Sequence, residues 1–371
     1  MPYKGKNRGN IRVNVRNSSQ AKDRFNLLLK NSERLFGRFP SDACAAGFRE
    51  LKDAVRDPWM VESLNLDPYW PKWNSPWWYF TLCLEMGCTS GVDHAGAPAH
   101  LSIELPTDLL EHFAARVNEH YLQSFPIKEE ELPAGADPMR HILCFCAMGT
   151  AVQILEHNAI ASDERIPWLR PWFERYQMAD GGYNCDEAAY LNDQPRSSIV
   201  STVPMLEALM KLSQRGLSAR ESAILDNGIS YLLKRSLFKS ICKNAPIDPN
   251  FSRLTFPRFY EYDVLRGLSL VCNWAVRFKK TLPFSAIEEV LDLCCSKIRD
   301  DGQLYIERQF YADKKTPMCK NGEWTRGHDV SVFTLLSQAG ALETPSPALT
   351  IALMNVLKNL SELDERGSIE F

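Results

Sequence analysis

The sequence lacks any apolar run near the ~20 residues that a membrane-spanning helix requires. Its first residues are charged with no apolar stretch behind them, so no secretory signal is read there either. An excess of one charge is missing too. Lys and Arg number 43 against 46 Asp and Glu, a formal net charge of -3, which leaves no bulk basic field to draw nucleic acid. No Gly-rich phosphate loop, dinucleotide fingerprint or Gly-x-Ser-x-Gly elbow occurs, so the usual signatures of nucleotide-dependent enzymes and serine hydrolases are absent. Strand-like alternation is scarce, with residues 303–310 the exception.

Cysteine is not scarce. There are 11, an odd number, and Cys83, Cys144, Cys146, Cys272 and Cys294 fall inside apolar helical patterns. Free Cys behaves as a small buried hydrophobe, so this usage points to a reducing, cytoplasmic setting and away from a disulfide framework. Cys144 and Cys146 are separated by one residue. On a helix such thiols point apart, so they are read as neither a metal pair nor a redox pair.

What the sequence does contain is helix signal. With 371 residues, 45% of them hydrophobic, the chain can bury a large core. Residues 1–20, with Lys4, Lys6, Arg8, Arg12 and Arg16, lack apolar periodicity and are read as a flexible basic arm. Residues 21–371 are read as one domain. Apolar spacing predicts a helix from Phe25 to Gly37, a weaker one at 49–55, and one from Pro76 through Met86 with the proline in its first turn. Further helices are predicted at 107–125, 139–157, 167–178, 200–214 and 219–236, the last opened by a capping box of Ser218 and Glu221. Residues 238–258 read as irregular, followed by helices at 260–279, from Ser285 to Asp300, at 328–338 and at 346–362. The class is therefore all-α, with helices joined as hairpins. Similar helix endings, at Trp172-Phe173, Tyr231-Leu232-Leu233 and Leu291 to Ile298, recur about every 60 residues, as expected of stacked helix pairs. Pairs that pack only on their neighbours form either an open solenoid or a closed ring around a cavity.

The segment from Gln177 through Asp180-Gly181-Gly182-Tyr183 to Cys185 resembles the Gln-x-x-x-Gly-x-aromatic repeat of squalene and oxidosqualene cyclases. It is also similar to the Asp-Gly-Gly turns of protein prenyltransferase β-subunits. Leu232-Leu233, Ser236-Leu237-Phe238, Ile247-Asp248-Pro249-Asn250-Phe251, Phe256-Pro257 and Tyr262 to Leu268 resemble smaller bacterial squalene-cyclase-like proteins. The resemblance spans about residues 140–340. It implies an (α/α)6 toroid of helix hairpins, and an enzyme that isomerises or cyclises an apolar or isoprenoid-like small molecule in a central cavity. The Asp-x-Asp-Asp acid motif of class II cyclases does not occur, nor does the Asp-Asp-x-x-Asp magnesium motif of class I.

The acid is therefore sought among Asp180, Asp248 and Asp263. Arg266 lies one helical turn from Asp263, where the two form either a structural ion pair or an oriented acid. Trp172, Tyr176, Tyr183, Phe251, Phe256, Phe259, Tyr260 and Tyr262 are candidates to line the substrate pocket and stabilise positive charge with their faces, or else to be plain core. The prenyltransferase resemblance implies zinc on Asp180, Cys185 and the distant His328, supporting group transfer or hydrolysis. Asp93, His94 and His100 form a further loop cluster, read as solvated or as metal-binding. A toroid that only binds a ligand or a protein remains the third reading.

Overall fold

The computed structural model describes residues 15–30, 53–86, 105–309, 311 and 315–371. The Asp93–His100 cluster and the helix expected at 49–55 fall wholly or mostly outside them, as does the end of the helix expected at Phe25 to Gly37. The longer helices among the described residues are α1 (Val15–Leu29), α2 (Pro58–Leu66), α3 (Pro76–Glu85), α4 (Thr107–His120) and α5 (Phe145–His157). They continue as α6 (Ile199–Leu212), α7 (Ala219–Leu233), α8 (Val264–Arg277), α9 (Glu288–Ser296) and α10 (Pro347–Glu365). The fold is mostly helical, and α1 begins inside the span read as a basic arm.

Helix starts follow the local chemistry. Pro76 occupies the first turn of α3, where its missing N–H costs nothing. The capping box of α7 forms: the Glu221 N–H donates to Ser218 Oγ, and the Ser218 N–H donates to the Glu221 carboxylate at 2.8 Å. Asp263 caps α8 by accepting from the Arg266 N–H at 2.9 Å.

Several elements differ from expectation. The helix expected at 107–125 ends at His120, because Leu122 donates its N–H to the His141 carbonyl at 2.9 Å instead. The helix expected at 139–157 is broken into one turn, Pro138–His141, and α5, with Cys144 extended between them at φ -69 and ψ 160. Pro167 and Pro171 reduce the helix expected at 167–178 to the turn Trp172–Arg175. The largest correction is at 328–338. Lys315–Lys320 (β1) and Glu323–Asp329 (β2) form an antiparallel hairpin, and the helix there is only Thr334–Ala339. Asn321 and Gly322 at its tip have φ of 52 and 80, the Asn-Gly turn that matches strand twist. Residues 303–309 form isolated bridges at Tyr305 and Arg308 and no strand.

Helices α3, α5, α6, α8 and α10 pack each on the next; α2, α7, α9 and α1 lie against members of this series, and α4 lies against α2. Every residue of α5 is buried. Gly149 allows this, since a Cβ there would stand 2.4 Å from the Pro204 carbonyl oxygen of α6. The α3 end of the series meets the segment that carries the hairpin. Tyr79 of α3 stacks on Phe333 at 3.8 Å between centroids, and the Lys72 N–H donates to Thr316 Oγ1 at 2.9 Å. The segment Pro138–His157 is long and apolar enough to cross a membrane by length and composition. It is interrupted before Phe145, and α5 is covered by protein throughout.

Candidate functional site

A cavity of about 260 Å³ opens where α3, α5, α6 and α8 meet. Its apolar lining comes from Leu84, Met210, Phe259 and Leu270. Its charged lining is Glu85, Glu207, Lys211, Arg258 and Arg266. Among the cyclase-derived candidates, only Arg266 and Phe259 reach it.

Glu85 ends α3 and faces a loop far along the chain. Its carboxylate accepts the Arg258 N–H at 2.6 Å and also the Phe259 N–H. Phe259 sits at φ 52, a left-handed conformation unusual for a bulky residue. That conformation turns two successive N–H groups onto one carboxyl group. Burial nevertheless pushes Glu85 above the ordinary carboxylate range, against the pull of Arg266, Arg258 and those two amides. Lys211 of α6 moves toward neutrality as well: burial lowers it to about 8, and its Nζ lies 2.9 Å from His157 Nδ1. An acid pushed up and a base pushed down in one cavity form the pattern expected of a proton-transfer site.

The guanidinium groups have different tasks. Arg266 forks onto Glu207 at 2.9 and 2.7 Å and donates to the Phe259 and Glu261 carbonyls. It clamps the 259–261 loop to α6. Arg258 donates through Nε to Asp263 at 3.1 Å, while its buried Nη2 finds no protein acceptor, and neither does Ser269 Oγ on the cavity wall. Buried donors without partners carry a cost that a bound group would remove.

The remaining predicted residues are placed as follows. Asp180 holds the turn: it accepts from the Ser197 N–H at 3.3 Å and from the Ser197 hydroxyl, and pairs with Arg235 at 3.4 Å. Gln177 spans the same turn, donating to the Gly181 and Ile224 carbonyls at 2.8 Å each, so the motif that carries the family resemblance ties helix pairs together. Asp248 caps a short turn through the Asn250 N–H at 2.8 Å. Asp263, fully buried, accepts from the Thr255 and Arg266 amides and from Arg258. Trp172 donates to the Gln123 carbonyl, Tyr176 to Phe125, Tyr183 to Phe173 and Tyr262 to Leu237. These rings, with Phe251 and Phe256, are buried core. Tyr260 lies beyond the cavity in a narrow slot with Trp77, Trp78, Ala147 and Thr150.

The structure does not bring Asp180, Cys185 and His328 together. His328 sits on β2, its Nε2 2.6 Å from Thr325 Oγ1. Cys185 meets Cys144 and Cys146 instead, with all three sulfurs within 4.8 Å of one another, the one such group of metal-ligating atoms among the described residues. The expectation that Cys144 and Cys146 point apart is corrected. Cys144 caps α5 in extended conformation rather than lying on it, and its Sγ is 3.0 Å from that of Cys146. Hydrogen bonds from the Cys146 and Cys185 thiols hold Cys144 well below the ordinary cysteine value, with Lys72 adding to the effect. Cys185 is pushed up to about 12, first by its bond to Cys144.

Sequence reasoning missed Glu85, Glu207, Lys211, Arg258 and the thiol trio. Glu85 ends one apolar helix and Lys211 lies in the last turn of another, and a charge in that place was the available signal.

No family model matches the chain, and no curated protein matches it. Among solved structures, three of the type II terpene cyclase MstE from Scytonema are similar to it. A variant with its product merosterolic acid A is 11% identical with a TM-score of 0.27, covering 87% of this chain and 99% of that one. A variant with its substrate geranylgeranyl dihydroxybenzoate is 10% identical with a TM-score of 0.29, covering 86% and 99%. A ligand-free variant is 13% identical with a TM-score of 0.27, covering 87% and 99%.

Proposed function

We propose that the chain is an enzyme of the cyclase or isomerase kind. In this reading the helix pairs form a toroid, and a small molecule is protonated by Glu85 in the cavity between the inner helices. The observation that carries this is Glu85 itself, a carboxyl group raised by burial and fixed by two backbone amides on the wall of a cavity. A general acid must hold its proton near the working pH, and none of the three aspartates of the sequence reading lines this cavity. Lys211, lowered to about 8, is the partner that takes a proton back.

The lining also selects the substrate class. Arg258 and Arg266 stand with Lys211 against the carboxyl groups of Glu85 and Glu207, and burial raises the pKa of Glu85. The unpartnered Arg258 Nη2 and Ser269 Oγ fit an anionic group, while Leu84, Phe259, Met210 and Leu270 accept a short apolar part. A volume of about 260 Å³ lies just under the ~300–1,000 Å³ of drug-sized sites, so the buried part of the substrate is short.

The test is calorimetric titration with geranyl monophosphate and with hexanoate, followed by incubation of bound ligand in deuterated water and mass analysis. Binding that Arg258→Met weakens ~10-fold or more, the loss of one charge-assisted hydrogen bond, supports the reading. So does deuterium incorporation that Glu85→Gln abolishes while binding persists. Binding unaffected by Arg258→Met, or incorporation unaffected by Glu85→Gln, sinks it.

A further inference from the structure

We infer that Cys144, Cys146 and Cys185 form a binding site for one soft metal cation, zinc by its chemistry, separate from the Glu85 cavity. Two half-buried thiols and one buried thiol from two distant segments converge here. Plain apolar packing does not explain this. Buried Cys272 and Cys294, which do behave as core, make no such group.

The geometry suits zinc. Zn–S bonds of ~2.3 Å place tetrahedral thiolates ~3.8 Å apart. That spacing falls between the 3.0 Å of the Cys144–Cys146 pair and the 4.8 Å that bounds all three. Three thiolate ligands leave the fourth position open to water or an external thiol, the arrangement of a reactive rather than a closed structural centre.

The surroundings suit the charge. Three thiolates on a divalent cation carry one net negative charge. Cys144 and Cys146 sit at the start of the 13-residue α5, whose positive dipole end favours negative charge. The Ser201 hydroxyl accepts the Cys185 N–H at 3.0 Å, which fixes the backbone that carries this ligand.

Position gives the site its meaning. Ala147, next to Cys146, lines the slot shared with Tyr260 and Thr150, and Thr150 also lines the cavity. The thiols and the cavity therefore lie along one helix, with Thr150 about 6 Å of helix rise beyond Cys146. The metal site does not depend on the proton-transfer reading, and its test does not use activity.

The full-length chain, purified under reducing conditions without chelators, is analysed for metal by plasma mass spectrometry. The stripped protein is then titrated with Co(II). One zinc per chain, with sulfur-to-cobalt charge-transfer bands in the near ultraviolet, is expected. Both are lost in Cys144→Ser, Cys146→Ser and Cys185→Ser and kept in Cys319→Ser. Zinc that survives all three substitutions overturns the inference, as does a reduced wild type that takes up neither metal. If the serine variants unfold, the cobalt spectrum of the wild type decides alone: bands of three-thiolate intensity uphold the site and their absence removes it. A Cys144–Cys146 disulfide in the mass spectrum, with no metal uptake after reduction, assigns the cluster to redox chemistry and also overturns it.

Discussion

The carboxylate of Glu85 accepts the backbone N–H of Arg258 at 2.6 Å, joining the end of α3 to a loop 173 positions later. This side chain thus ties the end of α3 to the segment that walls the cavity. Its pKa is raised by burial, so the folded state holds the proton more tightly than the unfolded chain does. That contribution is fully present below the ordinary value of 4.5 and is lost as pH rises through the folded value. Glutamine accepts one of the two amides and opposes the other with its NH2 group. Glu85→Gln is expected to cost about 1–3 kcal/mol in acid, and less as pH rises. Urea midpoints of both proteins across that range check this. A gap that widens with pH contradicts a raised acid.

Asp263 acts one step behind that contact. Its buried carboxylate takes the Arg266 amide at one oxygen, and the Thr255 amide with Arg258 Nε at the other. Asp263→Ala is expected to cost about 3–5 kcal/mol, as for breaking a buried charge pair. Asp263→Asn keeps the helix cap but points an NH2 group at the second pair of donors. It should therefore recover less than half of that loss. Near-complete recovery by asparagine in urea unfolding reduces Asp263 to a simple cap.

The helices were legible where local chemistry decides them. Pro76, the Ser218–Glu221 capping box and the irregular 238–258 segment follow from residues a few positions apart. What was not legible follows from partners far away. Nothing near residue 121 tells that Leu122 bonds the His141 carbonyl, or that Cys144 leaves the helix and turns its thiol toward Cys146. The β1–β2 hairpin is a different case. Lys320-Asn321-Gly322-Glu323 carries the Asn-Gly signal, which helical spacing does not register. The acid was sought in motifs with aspartates, whereas the cavity takes its carboxyl group from the last residue of an apolar helix. Resemblance at Gln177 and Asp180 marked residues that join helix pairs, because the bonds that make a repeat recur while chemistry need not.

Lys211 supplies the opposite sign of pH dependence. Burial lowers its ammonium from 10.5 to about 8, so the folded state favours the neutral amine. The stabilising contribution is present above the unfolded value and is lost as pH falls through about 8. Wild-type stability should therefore rise by up to ~3 kcal/mol between those two values. Lys211→Met should remove that rise and be the more stable protein at neutral pH. Parallel stability curves for the two proteins across this window exclude a buried, depressed lysine.

The approach of α5 to α6 sets the cavity wall, and Gly149 lets the two backbones come close. An added Cβ meets the Pro204 carbonyl oxygen at 2.4 Å, and that oxygen also accepts Gln153 Nε2 at 3.0 Å. Backbone cannot swing aside as a side chain can, so Gly149→Ala must separate the two helices or bend one of them. A cost of about 3 kcal/mol is expected, at the upper end for overpacking. Gly216, at φ 101 with open space around it, provides the contrast: there alanine meets only backbone strain of ~1 kcal/mol. Because Gln153, Glu207 and Lys211 lie on the same two helices, Gly149→Ala should also weaken ligand binding in the cavity, while Gly216→Ala leaves it unchanged. Equal losses of stability in the two variants count against the close α5–α6 contact, and with it against the shape of the cavity.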